Sequence, residues 1–173
     1  MIFEAAVDLT ITDNTAYTVL VALQQLGYGA LQRVERSDVY QLILAEDQPP
    51  AEIARALMRA EVIFNPNKHR MSYVAGSPAA DRDAREWEAV VADRDDETTR
   101  LRRLLGERFG VRGLDRIERS TAWRLYQNDG PAPKDRLEWA CHVLLCNAFS
   151  QSAVVRERPR RTAAGESAAV VER

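Results

Sequence analysis

The sequence predicts an α+β protein in which one structural unit is written twice, and three observations predict it. The stretch "LQRVERSDVYQL" (31–42) is echoed by "LDRIERSTAWRL" (114–125): Leu31, Arg33, Glu35, Arg36, Ser37 and Leu42 recur as Leu114, Arg116, Glu118, Arg119, Ser120 and Leu125. The echo then extends outward in the same order, as a duplication requires. "VALQQLGYGALQ" aligns with "LLGERFGVRGLD", "FEAAV" (3–7) with "WEAVV" (87–91), and "VIFNP" (62–66) with "LLCNA" (144–148). Third, the hydrophobic period alternates between two and about 3.6 along the chain, so strands and helices are mixed. A chance echo would not persist through every element.

In the first unit Phe3, Ala5, Val7, Leu9 and Ile11 alternate with more polar residues, the signature of a half-buried strand. Asp13 or Thr12 can cap the following helix, whose stripe Ala16, Val19, Leu20 and Leu23 has helical spacing. Gly27 suits a left-handed helix end. The quoted stretch then reads as a β-hairpin reversing near Arg36-Ser37-Asp38, since charged and hydroxyl residues tolerate a solvent-exposed turn. Pro49-Pro50 opens a second helix carrying Ile53, Ala54, Leu57 and Met58, and a last strand covers about 70–74. The second unit repeats the plan. A helix starting near Asp95-Asp96-Glu97 buries Leu101, Leu104, Leu105 and Phe109, and another follows Pro131 and Pro133 with Leu137, Ala140, Cys141 and Leu144 on one stripe.

The predicted order, βαββαβ, is the split-βαβ or ferredoxin-like plan. The predicted fold is thus two tandem ferredoxin-like βαββαβ units with antiparallel sheets, forming an intramolecular pseudo-dimer. The second unit is expected to cover the apolar sheet face left by Val39, Tyr40, Leu42 and Ile43. The first unit occupies 1–75, a small and polar linker 76–85, the second unit 86–156, and a mobile tail 157–173.

A 46% apolar share supports a packed core, and a net charge of −2 argues against a broad nucleic-acid surface. No run is apolar enough to span a bilayer, and the N-terminal stretch lacks the basic and hydrophobic regions of a signal peptide. With two cysteines and no disulfide framework, a cytoplasmic protein is expected.

Two histidines limit the catalytic constellations. Cys141, His142 and Cys146 do not make a four-ligand zinc site, and Cys141 lies on an apolar stripe, so no metal is expected. His69 stands beside Lys68 and Arg70 without a nucleophile motif and reads as a solvated loop histidine. Neither a phosphate-binding loop nor a GxGxxG sequence is present, and no cofactor is expected. Glu35-Arg36-Ser37 and Glu118-Arg119-Ser120 have two readings, as paired anchor points for a partner or as ordinary turn residues. The arginine-rich 156–161 reads as a solvated tail.

"TAYTVLVALQQLGYGALQRVERSDVYQLIL" followed by "VIFNP" resembles the PurS small subunit of phosphoribosylformylglycinamidine synthase. The likeness rests on Ala22-Leu23-Gln24-Gln25-Leu26-Gly27-Tyr28 and Ile63-Phe64-Asn65-Pro66; Phe109-Gly110 and Leu145-Cys146-Asn147 keep the outline in the second unit. It covers about 150 residues as two copies, whereas the family's subunit is a single copy that dimerises. The family's Asp-Pro-x-Gly helix start is replaced by "TDNTAY", and its Val-Gly-Lys tip by "VERS" and "IERS". The resemblance implies a ferredoxin-like fold and a non-catalytic role in purine biosynthesis, bridging the synthetase and glutaminase subunits, with homo-oligomerisation. The partner-contact candidates are Arg33, Glu35, Arg36, Ser37, Asn65 and Pro66 in the first unit, and Arg116, Glu118, Arg119, Ser120 and Asn147 in the second. Two other classes fit the same elements: a metabolite-binding regulatory module of the ACT type, with "GYG" (27–29) and "GVRG" (110–113) as ligand turns, and a cofactor-free enzyme of the dimeric α/β-barrel kind.

Overall fold

The computed structural model describes residues 1–76, 86–94, 98–128, 130–159 and 161–164. Among them the chain is a mixed α/β protein with four α-helices and one antiparallel sheet of eight strands. The first half runs β1 (Ile2–Leu9), α1 (Asn14–Gln25), β2 (Leu31–Leu44), α2 (Pro50–Arg59) and β3 (His69–Ala75). The second runs β4 (Trp87–Asp93), α3 (Thr99–Phe109), β5 (Leu114–Gln127), the short β6 (Gly130–Pro131), α4 (Lys134–Ala140) with a π-helical turn (Cys141–Leu145), β7 (Gln151–Glu157) and β8 (Thr162–Ala163). Most of the expected linker (77–85), the acids 95–97 and the stretch 165–173 lie outside the described residues.

The expected hairpin at Arg36-Ser37-Asp38 is not there. Leu31–Leu44 is one continuous strand, and so is its counterpart Leu114–Gln127. These two strands pair with each other along nearly their whole length, from Leu31 opposite Gln127 to Leu44 opposite Leu114. Two side chains of the polar triplet find partners within the chain. Arg36 Nε lies 3.0 Å from Asp13 Oδ2, and Ser37 donates to Asp8. The strand order is β7-β4-β5-β2-β1-β3-β8, so the halves join edge to edge rather than face to face.

Local chemistry accounts for the helices. Asp13 Oδ1 accepts hydrogen bonds from the Thr15 and Ala16 amides at 2.9 and 3.0 Å, capping α1. Because Asp13 also pairs with Arg36, Asp13→Ala should cost roughly 1–2 kcal/mol in urea unfolding, at the upper end for a cap. Proline stands in the first turn of α2, where its missing amide hydrogen is no loss. Gly27, with φ +108°, lets the chain turn sharply after α1.

All four helices lie on one face of the sheet, over two cores that each draw on both halves. In one, Ile53 and Leu57 of α2 and Leu105 of α3 cover Phe3, Tyr40, Leu42, Met71, Tyr73 and Ile117. In the other, Ala16 and Leu23 of α1 and Leu137 and Ala140 of α4 cover Leu31, Val34, Ala89, Val91, Trp123 and Leu125.

The opposite face is closed by curvature. β7 and β8 stand at opposite ends of the strand order, yet only residues 158–161 separate them. Strands about 4.8 Å apart would put those ends about 29 Å apart in a flat sheet. The connecting residues reach at most about 18 Å. The sheet therefore curls, and its inner face holds a small apolar cluster of Ala6, Val39 and Ala122, flanked by Val90. Of the expected mobile tail, Glu157 ends β7, and Thr162–Ala163 form β8 beside β3.

Candidate functional site

The two halves match residue by residue at several places. β2-β1-β3 and β5-β4-β7 have the same pairing order, all antiparallel. Ser37 aligns with Ser120, so Asp38 aligns with Thr121, and these two residues face each other at the middle of the β2–β5 ladder. Asn65 and Asn147 head identical turns. Each side-chain oxygen accepts from the amide two residues on, Asn67 at 2.9 Å and Phe149 at 3.1 Å. Each backbone amide donates to the side chain four residues on, His69 Nδ1 at 3.1 Å and Gln151 Oε1 at 2.9 Å. The asparagines are thus explained by turn chemistry, and Pro66 is an exposed neighbour in the first turn.

On the inner face Glu4 of β1 and Glu88 of β4 are both buried. They share two guanidinium groups from the end of the second half. Arg156 Nη2 lies 2.7 Å from Glu4 and 2.8 Å from Glu88; Arg161 Nη2 lies 2.8 and 3.1 Å from the same carboxylates. Burial by itself would push the Glu88 carboxyl up, but the charges and hydrogen bonds of Arg161 and Arg156 together hold it below its ordinary value. The arginine-rich stretch is therefore not simply a solvated tail. In the alternation of the first strands these glutamates occupy the polar positions, so nothing in the sequence marks them as buried.

A second network continues along the inner face. Arg124, almost fully buried, reaches Asp8 at 3.3 Å and Glu35 at 3.2 Å. The Tyr126 hydroxyl donates to Glu35 at 3.2 Å, and the Arg33 guanidinium lies 3.9 Å over the Tyr126 ring. Burial, then Glu35 and Glu86, raise the Tyr126 hydroxyl above its ordinary value. Of the expected contact residues, Glu35, Arg36 and Ser37 thus serve internal bonds. Arg33 pairs with Glu35, and Arg116 pairs with Glu118 at 2.7 Å in the same i, i+2 arrangement. These two pairs stand at opposite ends of the ladder.

Arg119 and Ser120 line a polar cleft of about 270 Å³ that also takes in the Asp38–Thr121 pair. Asp93, Trp123 and Gln151 complete its polar rim, with Gln151 Nε2 donating to Asp93 at 2.9 Å. A wider groove of about 740 Å³ lies beside it along α3, and Tyr40 and Arg119 line both. Sequence reasoning missed this groove because Arg103 and Arg108 of α3 fit the helix dipole and gave no sign of a shared cleft.

No family model matches the chain, and no curated protein matches it.

The remaining candidates are placed by packing. Cys141 is buried in the second core; burial first, then Cys146 and Glu138, push its thiol up to about 11, so it stays protonated at neutral pH. Its neighbour His142 is exposed. Among the described residues no cluster of His, Cys, Asp and Glu has the makings of a metal site, and no helix is long and apolar enough to cross a membrane.

Proposed function

We propose that the chain is a non-catalytic bridging protein, a duplicated PurS-like unit that acts as its own pseudo-dimer. The observation that carries this reading is the matched pair of ladder ends. Arg33 at one end and Arg116 at the other, each paired with the glutamate two residues on, offer an exposed arginine twice, in opposite directions, on one central ladder. A single chain built so can hold two partners at a fixed separation, which in a homodimer would require two subunits. The sequence resemblance names the partners to try first, the synthetase and glutaminase subunits of phosphoribosylformylglycinamidine synthase.

The test is reconstitution of the full chain with those two purified subunits, in the presence of glutamine and ATP, followed by light scattering after size exclusion. The bridging reading expects a ternary complex that needs this chain. Reversing one ladder end with Arg33→Glu should weaken one partner by about tenfold, and Arg116→Glu the other, about 1.4 kcal/mol each. Two partners that assemble equally well without the chain, or that ignore it, would refute the reading.

A further inference from the structure

The groove along α3 has a chemistry that the bridging reading does not use. Arg100, Arg103 and Arg108 of α3 line it, and so does Arg119 of β5. Glu107 is the one acid among the groove's described lining residues. It lies 3.9 Å from Arg103, with both side chains about three-quarters exposed, and an exposed pair of this kind neutralises little. The Arg108 guanidinium lies 5.7 Å from the centre of the Phe109 ring. Among the groove's described lining residues, arginines thus outnumber acids.

The wall between these arginines is apolar. Leu101 and Leu104 are only half-buried, and Val62, two-thirds exposed, faces them from the turn after α2. The arginine stems extend that apolar wall while their charged ends stay at the rim. A volume of about 740 Å³ matches the usual size of a small-molecule site. We infer that this groove binds a small amphipathic anion, an apolar body carrying a carboxylate or phosphate group. The apolar body lies against Val62, Leu101 and Leu104, and the charged group meets Arg103 and Arg108. This site stands whether or not the chain bridges two partners.

The test uses the full chain with methyl resonances assigned, titrated with octanoate, octyl phosphate, 1-octanol and acetate. Octanoate or octyl phosphate should shift the methyl signals of Val62, Leu101 and Leu104 saturably, and the tighter of the two names the head group. Octanol and acetate should each bind at least about tenfold more weakly, since each lacks one half of the recognition. Arg103→Glu with Arg108→Glu should weaken the better anion by about tenfold or more, with an unchanged melting temperature. Should that variant melt early, Arg103→Gln with Arg108→Gln replaces it. Octanol binding as well as octanoate would overturn the inference, and so would shifts confined to other parts of the chain. Binding of an acidic amphipathic peptide with no response to either octyl anion would also overturn it, and would make the groove a protein-docking surface.

Discussion

Residues 1–76 produced without the rest of the chain should show no cooperative unfolding transition. In the intact chain β2 pairs with β5 from Leu31 to Leu44, so the isolated half exposes that edge to solvent. Its two helices also lose the covers supplied by the other half: Leu105, Val111 and Ile117 in one core, Leu125, Leu137 and Leu145 in the other. A chain of this length buries only about 60% of its unfolded surface even when its core is complete. Pairing of two first halves offers no easy rescue. The ladder is centred on Asp38, whose native partner is Thr121; two copies of β2 in the same register would set Asp38 against Asp38. Like charges directly opposite are destabilising. Denaturant melts of each half, and of the two mixed as separate chains, decide the matter. Recovery of one sharp transition only on mixing is expected, and a stable monomeric first half would contradict the shared cores.

Glu88→Ala should destabilise the full chain by about 3–5 kcal/mol, because it strands buried guanidinium groups. Glu88 has no exposed side-chain surface and receives hydrogen bonds from both Arg156 and Arg161. Without it, two cations of which Arg161 is almost fully buried face Glu4 alone. The pH dependence follows from the direction of the Glu88 shift. Its folded value lies below the ordinary carboxylate value, so the unfolded chain binds the proton more readily. The stabilisation is complete above the ordinary carboxylate range and is lost as pH falls through the lower folded value. Glu88→Gln keeps the shape and should flatten that part of the acid profile. Urea melts at neutral pH and at stepped acid pH measure both effects. A Glu88→Ala chain within about 1 kcal/mol of the parent would show that the charges are solvated rather than buried.

The elements that follow from local rules were legible in the sequence. Asp13 caps α1 as its side chain predicts, the Pro49-Pro50 pair marks the start of α2, and alternation finds β1. The long strands were not legible, because Arg36-Ser37-Asp38 is turn-like by composition. Arg36 and Ser37 are held by Asp13 and Asp8, partners from elsewhere in the chain that no local pattern reveals. Glu4 and Glu88 were hidden for the same reason: alternation assigns them to the polar face, and only the curl of the sheet makes that face an interior. The contact candidates stand out as a repeated motif, but repetition of residue types says nothing of exposure. Ser37 is buried, while Arg116 and Arg33 are largely in solvent.

The distances along the chain between paired groups bear on how fast the molecule can form. Glu4 meets Arg161 across 157 positions, and Arg124 meets Asp8 across 116. Topologies dominated by such remote contacts fold in milliseconds to seconds, roughly a thousandfold or more slower than helical bundles of similar stability. Until the central ladder zips, each half presents an open strand edge to its neighbours in solution. Refolding yield should therefore fall steeply with protein concentration, and crowded expression should favour aggregates over misfolded monomers. The curled sheet that makes the finished protein self-contained is the same feature that makes its assembly a race against its own copies.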